Sequence, residues 1–213
     1  MAFVNKKVII PIDSKKFEGS LTIPPRAKSI IIFAHGGGGG RYAPRNNSVA
    51  RVLNKNNMGT LLFDMLTKKE DNSNKNNLDI RLLSRRLIAA TLWLKKQPEV
   101  KKLRMGYFAV SSGTAAAIIA ASKLKKDIFA IVSKSGRPDL SMSYLDMIKA
   151  PMLFIVGEED EIICELNEQA YVNMAGEKLM IVVPNAGHFF DEPGTQREAT
   201  KHSLKWFKKH LRK

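Results

Sequence analysis

A single cysteine, Cys164, stands among 213 residues. That excludes an intramolecular disulfide framework and fits a reducing compartment. Long apolar runs are absent as well: none approaches the roughly 18–20 residues that span a bilayer. The opening stretch MAFVNKKVIIPIDSKK lacks an extended apolar core and a small-residue cleavage site, so no signal peptide is expected. Acidic residues are scarce, 20 against 35 lysines and arginines, for a net charge of +15. A field of that sign favours anionic partners. Yet the chain has no zinc-ligand spacing, no glycine-aromatic RNA-binding signature and no helix-turn-helix with a basic recognition helix. No nucleic-acid partner is therefore expected, and the lysines, spread along the whole chain, read as solvated surface. The location expected from these absences is cytoplasmic.

What is present is a globular composition, 44% hydrophobic and 26% charged, in a chain long enough to bury one core. Phe3–Ile12 and Phe17–Ile23 suggest a β-hairpin closed by Pro24 and Pro25. Six apolar runs too short for helices follow: SIIIFA (29–34), TLLFD (60–64), LRMGYFAV (103–110), DIFAIVS (127–133), MLFIVG (152–157) and KLMIVVP (178–184). Continuous runs of this kind suit strands covered on both faces of a parallel sheet. Between them, Ile80, Leu83, Leu87, Ala90 and Leu94 recur at helical spacing, with Pro98 beyond the end. Ser112–Leu124 is alanine-rich, Cys164–Met174 closes on Gly176, and residues 195–211 carry Leu204, Phe207 and Leu211 on one side. KKEDNSNKNN (68–77) reads as an exposed loop. With no repeat and no linker, residues 1–213 are expected to form a single α/β domain.

The strand LRMGYFAV runs into the alanine-rich helix through Ala109-Val110-Ser111-Ser112-Gly113. A serine on so sharp a turn presents its hydroxyl above the carboxyl ends of the strands, where open α/β sheets bind ligands. Crowding there demands small residues two before and two after. Ala109 and Gly113 meet the demand around Ser111, whereas Thr114 would occupy the crowded place if Ser112 were the nucleophile. Directly after another strand comes AHGGGGGR (34–41). It matches neither phosphate-binding glycine pattern, so it reads as a loop whose N–H groups bind an oxyanion. The expected donors are Gly37, with Gly38 in reserve, and Ser112, the residue after the nucleophile. Gly36 and Gly113 support the loop and the turn, and His35 is expected to brace rather than titrate.

A serine hydroxyl needs a base. His188, in PNAGHFFDEPG after the last strand, would lie at the same sheet edge as Ser111, while His202 and His210 on the basic terminal helix read as surface or interface residues. Asp160 closes MLFIVGEED and is the expected orienting carboxylate, with Glu158 and Glu159 as rivals. Asp191 and Glu192 stand near His188 in the chain, which disfavours them as the orienting carboxylate but leaves them open. The order Ser111, Asp160, His188 is that of one large class of serine hydrolases.

The segments AHGGGGGRYAPRN, LLFDMLT, GYFAVSSGTAAA, SGRPDL, LFIVGEEDEII and PNAGHFFDEPG resemble the dienelactone hydrolase-like branch of the α/β-hydrolase superfamily, over essentially the whole chain. The resemblance implies an α/β-hydrolase fold with a mostly parallel sheet, helices on both faces and an N-terminal antiparallel hairpin. It further implies a Ser111–His188–Asp160 triad with esterase-like or lactonase-like activity. Dienelactone hydrolases proper carry a cysteine nucleophile; here the turn carries Ser111, and Cys164 is expected to be an inert core residue. The short interval between SKSGRPDL and APMLFIVG leaves no room for a lid domain.

The expected reaction is hydrolysis of a short-chain ester, thioester or lactone, the positive field favouring an anionic one. No metal and no cofactor are called for. Two other readings stand beside it. One is a silent binding protein on the same fold. The other is a polyanion or membrane binder acting through KHSLKWFKKHLRK (201–213), set against the expectation that this helix packs its apolar stripe on the sheet.

Overall fold

The computed structural model describes residues 2–36, 40–71 and 78–211. Strands β1 (Val4–Ile12) and β2 (Lys15–Ile23) form the expected hairpin, turning through Asp13 at φ +54°. The six apolar runs become β3 (Ser29–Ala34), β4 (Gly59–Phe63), β5 (Arg104–Ser111), β6 (Ile128–Gly136), β7 (Met152–Gly157) and β8 (Lys178–Val183). All eight make one sheet in the order β1-β2-β4-β3-β5-β6-β7-β8. β2 runs antiparallel to both β1 and β4, and β3 to β8 pair parallel. The central strands β3, β6 and β7 are buried at every position, as the unbroken apolar runs required.

Among the described residues five helices of twelve residues or more cover the sheet: α1 (Pro44–Lys55), α2 (Ile80–Lys95), α3 (Gly113–Leu124), α4 (Glu161–Asn173) and α5 (Thr195–Leu211). α2, α3 and α4 share one core cluster, built around Leu83, Leu87, Ile118 and Ala170. α1 and α5 enclose the other, with Val49, Leu53, Trp206 and Phe207. Asp79 caps α2, its side chain accepting from the Leu82 N–H at 2.9 Å. α1 escaped the sequence reading because PRNNSVARVLNK offers only a narrow apolar stripe. Pro44 at its first position was the available signal.

Three expectations are corrected. Lys68–Asp71 is a short helical turn rather than open loop, and Glu70 within it binds Arg86 at 2.9 Å; residues 72–77 of that stretch lie outside the described residues. Cys164 is half-buried, not core, its thiol donating to the Gly157 carbonyl at 3.1 Å. α4 starts three residues earlier than expected, and this places Cys164 in its first turn. His210 is not a surface residue: it is buried, its ring 4.2 Å from that of Trp206. The basic terminal helix thus turns its apolar stripe inward, with Phe207 on Phe129 at 6.0 Å. Among the described residues no helix is long and apolar enough to cross a membrane.

Candidate active site

β5 ends at Ser111, whose φ of +52° lies in the left-handed region that side chains with a Cβ seldom adopt. Such a backbone costs of order 1–3 kcal/mol and persists only where its surroundings enforce it. Here the Ser111 carbonyl accepts from the Arg137 N–H at 3.1 Å, and Ser111 pairs with Gly136 of β6 across a register shift. α3 opens immediately, with Ser112 already helical. Gly113 lies against β3: a Cβ there would collide with the Ala34 carbonyl oxygen and the His35 N–H. Ala109 is wholly buried between Ala34 and Ser133 on the flanking strands. The small residues on either side of Ser111 therefore have a packing cause.

His35 is buried, and both its ring nitrogens face carbonyl oxygens, Nδ1 that of Gly36 at 2.6 Å and Nε2 that of Phe63 at 3.0 Å. The far end of the glycine run is tied to the next residue of the same strand end. The Arg41 N–H donates to Asp64 Oδ1 at 2.9 Å, and its guanidinium pairs with Asp64 and Glu18. Arg41 was missed in the sequence, where nothing marked it apart from 34 other cations. Gly36 is buried beside His35; Gly37 and Gly38, the expected donors, lie outside the described residues. A cavity of about 640 Å³ opens beside this loop, lined by Phe17, Glu18, His35, Arg41, Tyr42 and Leu66 among others. That volume suits a small organic molecule.

At the neighbouring strand ends the structure brings Asp160 and His188 together. Asp160 precedes α4, and its Oδ2 lies 2.6 Å from His188 Nδ1. The loop carrying His188 is stitched down along its length. Glu158 accepts from the Asn185 N–H at 3.0 Å, the Glu159 N–H donates to the Ala186 carbonyl at 3.0 Å, and the Ser135 hydroxyl donates to the His188 carbonyl at 2.7 Å. Gly157 permits this approach, since a Cβ there would strike the Ala186 carbonyl oxygen. Two of the rival carboxylates are engaged elsewhere: Glu158 as just described, and Asp191 with Arg45 at 2.9 and 2.6 Å.

Lys134 of β6 lies under this loop, 3% exposed, its ammonium 4.2 Å from the centre of the Phe190 ring. Burial, reinforced by the Arg45 charge, pushes its pKa down to about 8 against the opposing pull of Asp191 and Glu192. Among the described residues no group of three or more His, Cys, Asp or Glu side chains could hold a metal ion.

A mostly parallel sheet flanked by helices, with a serine turn and a histidine–aspartate pair on successive strand ends, is the α/β-hydrolase architecture. The particular family follows from comparison with known proteins. The dienelactone hydrolase family matches residues 42–212, and the chain belongs to it. It superposes on a dienelactone hydrolase from Anabaena variabilis with a TM-score of 0.94 and 38% identity, covering 98% of this chain and 99% of that one. An esterase from Pyrococcus furiosus shares the fold at a TM-score of 0.82 and 19% identity, over 98% and 92% of the two chains. A Mycobacterium tuberculosis protein provisionally named a phosphoribosyl transferase is 44% identical over 193 residues. That match covers 91% of this chain but only 44% of the relative's length.

Proposed function

We propose that this chain hydrolyses carboxylic esters, short-chain esters, thioesters or lactones, through an acyl-enzyme on Ser111. The observation that carries the reading is the 2.6 Å contact between Asp160 and His188 Nδ1 at the sheet edge where Ser111 ends β5. With Nδ1 held by the carboxylate, Nε2 is the nitrogen free to accept a proton. Ser111 Oγ attacks the carbonyl carbon as His188 takes the hydroxyl proton. The tetrahedral adduct collapses, the bond to the leaving oxygen breaks, and the imidazolium delivers its proton to that oxygen. Water, deprotonated by His188, then releases the acid and restores Ser111. Asp160 fixes the tautomer and stabilises the imidazolium. Backbone N–H groups of Ser112 and Gly37 are assigned to the oxyanion, each donor worth roughly 3–4 kcal/mol in enzymes where one has been removed.

The test is hydrolysis of short-chain p-nitrophenyl esters by the wild type and by Ser111→Ala, with labelling by a serine-reactive phosphonate. A loss of several orders of magnitude in the variant, together with phosphonate labelling of the wild type only, is the expected result. Equal rates and no labelling would leave the silent binding protein as the better reading.

The name of the M. tuberculosis relative favours a second reading, phosphoribosyl transfer. More than half of that relative lies outside the match, and we assign the activity in its name to that remainder. Absence of pyrophosphate release from phosphoribosyl diphosphate by this chain is the expected outcome.

A further inference from the structure

The loop that carries His188 presents two phenylalanines in opposite ways. Phe190, at φ +57°, is buried over Lys134. Phe189, one residue earlier, is 59% exposed. An exposed aromatic ring is ordinarily free to rotate, but this one is held on two sides. The Arg45 guanidinium lies 4.9 Å from its centre, and the His188 ring meets it edge-on, 5.0 Å away with planes at 89°. Arg45 is itself gripped by both carboxylate oxygens of Asp191. A chain of contacts thus runs from Asp191 through Arg45 and Phe189 to the base. Fixing an aromatic ring beside a catalytic group while leaving most of it in water creates a binding wall whose ordering is complete before substrate arrives.

Charge around the site narrows what the wall accepts. The chain carries +15 overall, yet three arginines around the site, Arg41 and Arg137 on loops and Arg45 on α1, are all matched to carboxylates: Arg41 to Asp64 and Glu18, Arg45 to Asp191, Arg137 to Asp139, and Lys134 is buried against Phe190. The global field is therefore not concentrated into a guanidinium open to an anionic substrate.

Resting on the serine-hydrolase reading above, we propose that Phe189 is the wall of the leaving-group subsite, and that the enzyme prefers esters of planar, uncharged aryl or benzyl alcohols. The side follows from the chemistry. His188 returns its proton to the departing oxygen, so the alcohol portion of the ester must lie against the imidazole, and Phe189 is the ring at its edge. A flat group stacked on Phe189 keeps that oxygen within reach of Nε2, while the acyl portion extends away from Phe189.

The experiment compares kcat/KM for benzyl acetate, ethyl acetate and 4-carboxybenzyl acetate in the wild type, Phe189→Ala, Phe189→Trp and Ser111→Ala. The first two substrates give the same acetyl-enzyme and have alcohols of similar basicity, so their ratio reports binding of the leaving group. The wild type should prefer benzyl acetate. Phe189→Ala should lower that rate roughly three- to tenfold, the range expected for one aromatic pair. The loss on ethyl acetate should be the smaller, an unchanged thermal unfolding curve shows the variant to be folded, and Phe189→Trp should restore the preference. The carboxylate on the third substrate should bring no gain. Equal loss on benzyl and ethyl acetate would mean that Phe189 merely positions His188, and a large advantage for the carboxylated ester would mean an unpaired cation in the site; either overturns the proposal. If Ser111→Ala keeps the wild-type rate, the hydrolase reading fails and the subsite falls with it. If Ser111→Ala is inactive and the benzyl-to-ethyl ratio ignores Phe189, only the subsite falls.

Discussion

Replacing Lys134 by methionine removes a charge from the interior while nearly keeping the volume. The lysine is 3% exposed, and its pKa stands at about 8 where an exposed lysine has 10.5. That fall corresponds to roughly 3 kcal/mol set against the folded state wherever both states hold the proton. The sign follows from proton binding. Between pH 8 and 10.5 the unfolded chain holds the proton and the folded one has released it, so stability rises with pH across that window. Below pH 8 the cost is present in full. The methionine variant also forfeits the cation–π contact with Phe190, worth about 0.5–2 kcal/mol. The net expectation at pH 7 is a gain of about 1–2 kcal/mol, or a Tm higher by roughly 2–8 °C for a chain of this length. Thermal unfolding of both proteins at pH 7, 9 and 10.5 measures it, and the gap between them should close as the pH rises. A Tm at pH 7 below that of the wild type, or a gap independent of pH, would refute the account of Lys134 as a desolvated cation.

Two further expectations concern the site. Asp160→Asn keeps the shape of the carboxylate but accepts poorly from Nδ1–H, so the wrong tautomer of His188 is favoured. In steady-state assays kcat should fall by about 10⁴-fold, as in the serine protease precedent, with KM little changed. Gly113→Ala places a methyl group on the carbonyl of Ala34; a loss of about 1–3 kcal/mol in urea unfolding is expected, together with reduced turnover as β3 and α3 move apart.

The strands were legible because β3 to β8 each hold a short, mostly apolar run, a pattern that a doubly covered sheet requires, although β6 continues through Ser133 and Lys134. Helices α2 and α5 were legible from their periodicity, and α3 from its alanines. α1 was not, since its stability comes from docking Val49 and Leu53 against the sheet and α5 rather than from any pattern over PRNNSVARVLNK. The pairing of Asp160 with His188 could be anticipated because chain order places both at one sheet edge. Glu158 and Asp191 were separable only in space, where one binds the Asn185 N–H and the other binds Arg45. The aromatic and cationic surroundings of the base were hidden for the same reason: Arg45 and Phe189 are 144 positions apart in the sequence and meet only when α1 docks beside the last loop.

The glycine run is flanked by two moorings at the end of β4, His35 to Phe63 and Arg41 to Asp64, the residue after that strand. A ring closed in this way can change its circumference without moving its moorings. Closing a longer loop costs only about 0.6 kcal/mol more per doubling of its length, little beside the cost of displacing either anchor. Insertions between residues 36 and 40 are thus a cheap route to new contacts, and a library built there would vary specificity while the framework holding Ser111 and His188 stayed in place.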